Sequence, residues 1–185
     1  MKLSVLICTL EERKTLFDVL IARINRILLA YNVTEVQILS ECDNRQMSIG
    51  EKRNLLLSRA EGDYVCFIDD DDTIDEEYFI RILKALESEP DCVELIGMMN
   101  TDGLNQKRFE HSIKHSTYHE YNNTYFRYPN HLNPIKREIA MRFKFPETNF
   151  GEDTEWATQI RDSGLLRIES RMDKVIYHYR YRSRK

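Results

Sequence analysis

The chain has 185 residues, long enough for one compact domain with a full core and short for two. Apolar residues make up 42%, charged residues 31%, and the net charge of −4 argues against a nucleic-acid surface as its main business. No run approaches the ~20 apolar residues of a membrane-spanning helix.

The opening "KLSVLICT" predicts a first buried strand; it lacks the cleavage site of a secretion signal. "TLFDVLIARINRILLAYN" puts Leu16, Leu20, Ile24, Ile27, Leu28 and Tyr31 on one helical face, with Asn32 as a stop. "EVQILS" predicts a second strand. In "SIGEKRNLLLSRAEG", Ser48 and Glu51 are spaced as a capping box, and Gly62 is a natural helix end. "DYVCFI" predicts the third strand, "DEEYFIRILKALESEP" a helix closed by Pro90, and "DCVELIGMMN" a fourth strand with Met98 and Met99 in the core. Continuous apolar strands alternating with amphipathic helices predict an α/β fold with a mostly parallel central sheet and helices on both faces.

Past residue 100 the pattern changes. "KRFEHSIKH" and "NTYFRYP" alternate like exposed antiparallel strands, and "PIKREIAMRF" predicts a short helix. "GEDTEWATQIRDSG" predicts a helix with Trp156 and Ile160 inward, and "LLRIE" and "KVIYHYRY" predict closing strands of a small antiparallel C-terminal part. No repeat or low-complexity linker interrupts the chain, so a single domain over 1–185 is expected. Cys8, Cys42, Cys66 and Cys92 lie in or beside apolar runs without metal-like spacing, the pattern of buried free thiols in a reducing cytoplasm.

The stretch "YVCFIDDDDTIDEE" sets four aspartates directly after a buried strand. Adjacent carboxylates repel and are costly near a core, so a cation or a bound ligand is expected there. Ligands of open α/β sheets bind beyond the carboxyl ends of the strands, where "TLEE", "SECDN" and "DDDDT" would line one crevice. Asp72 and Asp75 also suit caps of the following helix. A calcium loop fails, because the twelfth position falls on Ile80, Arg81, Ile82 or Leu83 and the central glycine is missing. "FIDDDDT" fits the D-x-D-x-T signature of haloacid dehalogenase-like phosphatases, with Asp69 as nucleophile and Asp71 as acid/base. That signature ends the first strand of its family, and here it ends the third. The remaining reading is a divalent cation, Mn²⁺ or Mg²⁺, bridging carboxylates to a diphosphate, since Asp69 and Asp71 share one side of an extended segment.

Taken in order, "SVLICTLEER", "ILSECDN", "GEKRNLLLSRAEGDYVCFIDDDDTID", "LNPIKREIAMRFKFPETNFGEDTEW" and "VIYHYRYRS" resemble the inverting, family-2 nucleotide-sugar glycosyltransferases of GT-A fold. The resemblance implies Thr9 and Glu11 in the loop over the nucleoside and Glu41 contacting the base, where the family often has an aspartate on uracil. It implies Arg53 near the nucleotide or its phosphates, Asp69 on the ribose with Asp70 beside it, and Asp71 on the metal. Asp153 of "GED" is implied as general base, with Glu152 orienting it or the acceptor. His178 is a candidate metal or diphosphate ligand or a structural hydrogen-bonder; Arg180, Arg182, Arg184 and Lys185 form a diphosphate clamp or a frayed basic tail.

The implied donor is a UDP-sugar and the acceptor a glycan or other hydroxyl, with 1–100 as the nucleotide-binding half and 101–185 as the acceptor-binding half. Many relatives carry a further C-terminal region, so a partner or a second copy to complete the acceptor site, and a place in the cytoplasm or at a membrane periphery, are expectations. A sugar-1-phosphate nucleotidylyltransferase wants a glycine-rich loop after the first strand, and "CTLEERKT" has no glycine. A catalytically dead sugar-binding module has no need of both "DDDD" and "GED".

Overall fold

Alternation along β1 (Leu3–Leu10) sets the layers of the fold, described for residues 1–181 of a computed structural model. Leu3, Val5 and Ile7 enter one core with Leu20, Ile24 and Ile27 of α1 (Lys14–Ala30). Leu6 enters a second core with Leu56 and Leu57 of α2 (Ile49–Arg59). Tyr78, Phe79 and Ile82 of α3 (Tyr78–Leu86) join the first core; Trp156 and Ile160 of α5 (Glu152–Ser163) join the second. The predicted helices on both faces are present, and the fold is mixed α/β.

In the first sheet, β1 lies between β2 (Val36–Asp43) and β3 (Tyr64–Phe67), both parallel to it. The order continues through β10 (Ile135–Lys136), antiparallel to β3, then β5 (Cys92–Val93) and β11 (Glu169–Ser170). A second sheet runs β4 (Thr73–Ile74), β12 (Tyr177–Tyr181), β6 (Leu95–Thr101), β7 (Leu104–His111), β9 (Thr124–Arg127) and β8 (His119–Tyr121). β4 follows the aspartates directly and pairs with Tyr177 and His178 of β12, so the acidic loop is clamped between the two sheets.

Several predicted elements differ. The fourth strand splits at buried Glu94, whose N–H donates to Ser170 O at 2.9 Å; β5 belongs to one sheet and β6 to the other. Glu94 accepts from Met172 N at 2.9 Å and Lys114 Nζ at 2.8 Å, which fixes the switch. Only Arg137–Ala140 of "PIKREIAMRF" is helical (α4), because Ile135 is inserted between β3 and β5. β7 is antiparallel to β6 but parallel to β9. Met98 and Met99 are half-buried rather than core, and Cys42 is exposed on the edge strand β2; all four thiols are free. No helix among the described residues is long and apolar enough to cross a membrane.

Ser48 and Glu51 form the predicted capping box, and α2 ends at Arg59, before Gly62. The first turn of α2 also fixes the entrance to α5. Gly50 N donates to Thr148 O at 3.2 Å and Ile49 N to Asn149 Oδ1 at 3.0 Å. A Cβ on Gly50 would stand 1.8 Å from Pro146 O, so only glycine admits this approach. Gly50→Ala should cost roughly 1–3 kcal/mol in urea denaturation. An unchanged midpoint would show that the segment before α5 yields without cost.

Candidate active site

The acidic run leaves the end of β3 at the carboxyl edge of the first sheet, where its charge is met from within the fold. Asp70 is 5% exposed and accepts from Thr9 Oγ1 at 2.7 Å and from Arg13 Nε at 2.9 Å. Arg13 also reaches Asp71 Oδ2 at 3.0 Å. Asp72 accepts from the Tyr177 hydroxyl at 2.7 Å and the Arg180 N–H at 2.8 Å. It ties the loop to β12 and does not cap α3; burial and the neighbouring Asp69 push its carboxyl well above the usual range. Asp75 accepts from Glu77 N at 3.0 Å, in the turn that leads into α3. Arg53 Nη2 stands 3.4 Å from Asp69 and His131 Nε2 stands 3.5 Å from it. Against the raising effect of burial, His131 and Arg53 hold the Asp69 carboxyl below its ordinary range.

α5 supplies the facing carboxylates. Gly151, at φ 79°, turns the chain into Glu152 and Asp153. Glu152 is buried, lies 3.5 Å from Arg53 Nε, and burial raises its carboxyl above the usual value. Asp153 is a third exposed, and its Oδ2 lies 3.7 Å from His131 Nδ1. His131 therefore stands between Asp69 and Asp153, in a row of carboxylate, imidazole and carboxylate. Neither of its ring nitrogens has an aligned hydrogen-bond partner within the protein. Arg53 is held over the rings of Phe67 and Phe145 at 5.2 and 5.5 Å. Asp69, Arg53, His131, Glu152 and Asp153 all line one cavity of about 600 Å³, whose lining also includes Phe109, His111, Arg127 and Tyr179.

The structure thus brings Asp69, Arg53, Glu152 and Asp153 together. Thr9 is not in a loop: it lies buried in β1, its hydroxyl donates to Asp70, and its carbonyl accepts from Lys52 Nζ at 2.7 Å. Glu11 is exposed in a short 3-10 turn, Glu11–Arg13. Glu41 is engaged by Arg59 of α2 at 2.6 Å, whereas Asp43, two residues on, ends β2 beside Lys52. His178 pairs with Thr73 of β4, and alternation along β12 puts it on the face opposite Tyr177 and Tyr179. Burial lowers its imidazole, with Asp75, Arg23 and Arg180 as neighbouring charges. Arg182, Arg184 and Lys185 lie outside the described residues. Arg13 and His131 carry no motif; the signal for Arg13 was a cation just past the end of the first strand.

Residues 36–157 match the profile described as "Glycosyl transferase family 2", more than half of the chain. The chain belongs to glycosyl transferase family 2. This family-2 chain is similar in fold to S. aureus TarS residues 1–349 in complex with UDP, at TM-score 0.67 and 20% identity over 97% of the chain. The same TarS fragment in complex with UDP-GlcNAc matches at TM-score 0.66 and 20% identity over 100% of the chain. The chain spans 60% of the length of those fragments. No match was found among curated proteins.

One wall residue gives a pH test of the site's packing. Burial, with the charge of Arg127 beside it, pushes the His111 imidazole well below its ordinary value. Such a group stabilises the fold above about pH 6.5 and loses that contribution as pH falls toward its folded value. Between pH 7 and 5 the wild type should therefore lose stability, by at most about 1.4 kcal/mol per pH unit from this group. His111→Gln should lose less over that window. Equal slopes in urea denaturation would assign the acid sensitivity elsewhere.

Proposed function

We propose that the chain transfers a sugar from a nucleoside-diphosphate donor, a UDP-sugar, to an acceptor hydroxyl by single displacement with inversion, Asp153 acting as general base. The observation that carries this reading is the row from Asp69 through His131 to Asp153 along one wall of a cavity of about 600 Å³. Such a volume suits a small-molecule ligand. Residues 1–100 supply the donor side and 101–185 the acceptor side.

In this mechanism the acceptor hydroxyl gives its proton to Asp153 as its oxygen attacks the anomeric carbon, and the bond to the diphosphate breaks on the opposite face. One base suffices, because no covalent sugar–enzyme ester has to be resolved. Glu152 contributes through Arg53, which fixes the first turn of α5 and so the direction of Asp153. Asp69 takes the donor ribose. Glu41, held by Arg59, and Asp43, held by Lys52 and the Met47 N–H, are the two carboxylates at the end of β2 that could accept from a ring N–H of the base.

A divalent ion fits this donor set in one way. Among the described residues no group of three or more His, Cys, Asp or Glu is arranged as a metal site. Mg²⁺ and Mn²⁺ bound with substrate phosphates need only one or two protein carboxylates. Asp71, with Arg13 as its ion-pair partner, and Asp69, beside Arg53, are the two aspartates of the run that keep solvent access. Bound there, the ion would neutralise the charge of the leaving diphosphate.

The Asp69/Asp71 phosphatase reading has no comparable support, because His131 and Arg53 already occupy the surroundings of its nucleophile. A nucleotide at 100 times its dissociation constant adds roughly 2.7 kcal/mol to stability. UDP with Mn²⁺ should accordingly raise the melting temperature, and Asp71→Ala should abolish the Mn²⁺-dependent part; a shift unaltered in that variant removes Asp71 from the metal. Asp153→Asn keeps the shape of the helix start but cannot accept a proton at neutral pH. Its transfer rate should fall by about 10²–10⁴-fold with donor binding intact. Wild-type turnover in Asp153→Asn would overturn the assigned base.

A further inference from the structure

The geometry points to an acceptor that carries an anionic group, a phosphate or a carboxylate, held by Arg127 on the wall of the cavity. This rests on the transferase reading above and names the class of acceptor that the same site takes. Arg127 ends β9 and lines the cavity together with Asp153. Its guanidinium carbon lies over the ring of Tyr118 at 5.0 Å and near that of Tyr125 at 5.9 Å. Tyr118 is itself packed on Tyr128 at 4.5 Å, so the stack is anchored in the second core.

Among the described residues, the Arg127 side chain has aromatic faces as its partners and no carboxylate. Arg53 is the contrast: it lines the same cavity and meets both Asp69 and Glu152. Stacking occupies the faces of a guanidinium and leaves its N–H edge, which matches a carboxylate or phosphate with two parallel hydrogen bonds. A net charge of −4 offers many acids to pair with, and none is placed here.

His111 is an independent observation at the same wall. It pairs with Arg127 in the β7–β9 register, is 2% exposed and lines the cavity; the Asn133 and Asn130 side chains stand beside its ring, and its Nδ1 has no aligned hydrogen-bond partner. A buried polar atom without a partner at a cavity wall is costly unless a ligand completes it. Hydroxyls of a neutral sugar can satisfy His111 but leave the guanidinium without a counter-charge. An anionic group satisfies both.

The test measures binding of glucose, glucuronate and glucose 6-phosphate by calorimetry with UDP and Mn²⁺ present, in the wild type, Arg127→Gln and Arg127→Lys. The wild type should bind at least one charged sugar about tenfold to a hundredfold more tightly than glucose. Arg127→Gln should bind all three alike, and Arg127→Lys, which keeps the charge but not the fork, should retain part of the preference. The two charged probes tell phosphate from carboxylate. Equal binding of all three by the wild type overturns the proposal even where a variant fails to fold, and so does a preference that survives in Arg127→Gln. Discrimination confined to UDP-glucuronate over UDP-glucose also overturns it, because the charge would then belong to the donor. Lack of any UDP shift counts against the transferase reading alone; the three-probe comparison, repeated without nucleotide, still decides the anion site.

Discussion

Four carboxylates at the end of a buried strand are the constraint around which this fold is arranged. Left unpaired, each would be costly to desolvate and would repel its neighbours. The chain answers them from several elements: Arg13 beyond β1 for Asp70 and Asp71, Arg53 of α2 and His131 before β10 for Asp69, Tyr177 and Arg180 of β12 for Asp72. Those partners tie both sheets to one loop. The crossing of β4 over β12 follows from the same need, since Thr73 and Ile74 leave the aspartates already committed to that strand.

Asp69 and Asp71 are the residues this arrangement leaves with solvent access, 28% and 19% exposed, the first beside Arg53 and the second touched by Arg13. The loop is therefore not a uniform acidic patch but a largely neutralised platform presenting two carboxylates. This explains how a run so unfavourable in isolation sits in a folded protein before any ligand arrives. Compensation of this kind is also why the run is a poor guide by itself: most of its charge is structural.

The sequence was most legible where one residue pattern answers to one physical period. The apolar runs of β1 and β3 and the stripe Leu20, Ile24 and Ile27 declare themselves, as does the Ser48–Glu51 box. Two-residue strands such as β5, β10 and β11 hold no full period, so the switch at Glu94 and the insertion of Ile135 could be read only from tertiary pairing. At the site, Asp69 stood out because a run of acids directly after a buried strand is unusual, whereas Glu152 and Asp153 were marked only by the resemblance of "GED" to the family. His131 was not, because nothing in "NHLNP" says that its ring will stand between two carboxylates brought from 62 and 22 residues away. His178 stayed open between two roles for the converse reason: a histidine in a tyrosine-rich strand says nothing about which face it takes until the register is known.

The polar groups around the cavity differ in how far they are satisfied. In the acidic loop the aspartates are met by cations and hydroxyls. Elsewhere on the wall, His131 and His111 are buried with ring nitrogens that have no aligned partner, and Arg53 keeps Nε and Nη1 in the same condition. Native interiors leave few such groups, because each one costs stability. Here they are concentrated around one cavity rather than scattered through the cores, which contain apolar side chains at near-zero exposure. A cost confined to a cavity wall is reduced when a hydroxylated substrate enters, so those groups favour the occupied state over the empty one. The acidic loop is thus largely satisfied without a ligand, while the histidines and Arg53 on the cavity wall keep polar atoms that a ligand can complete.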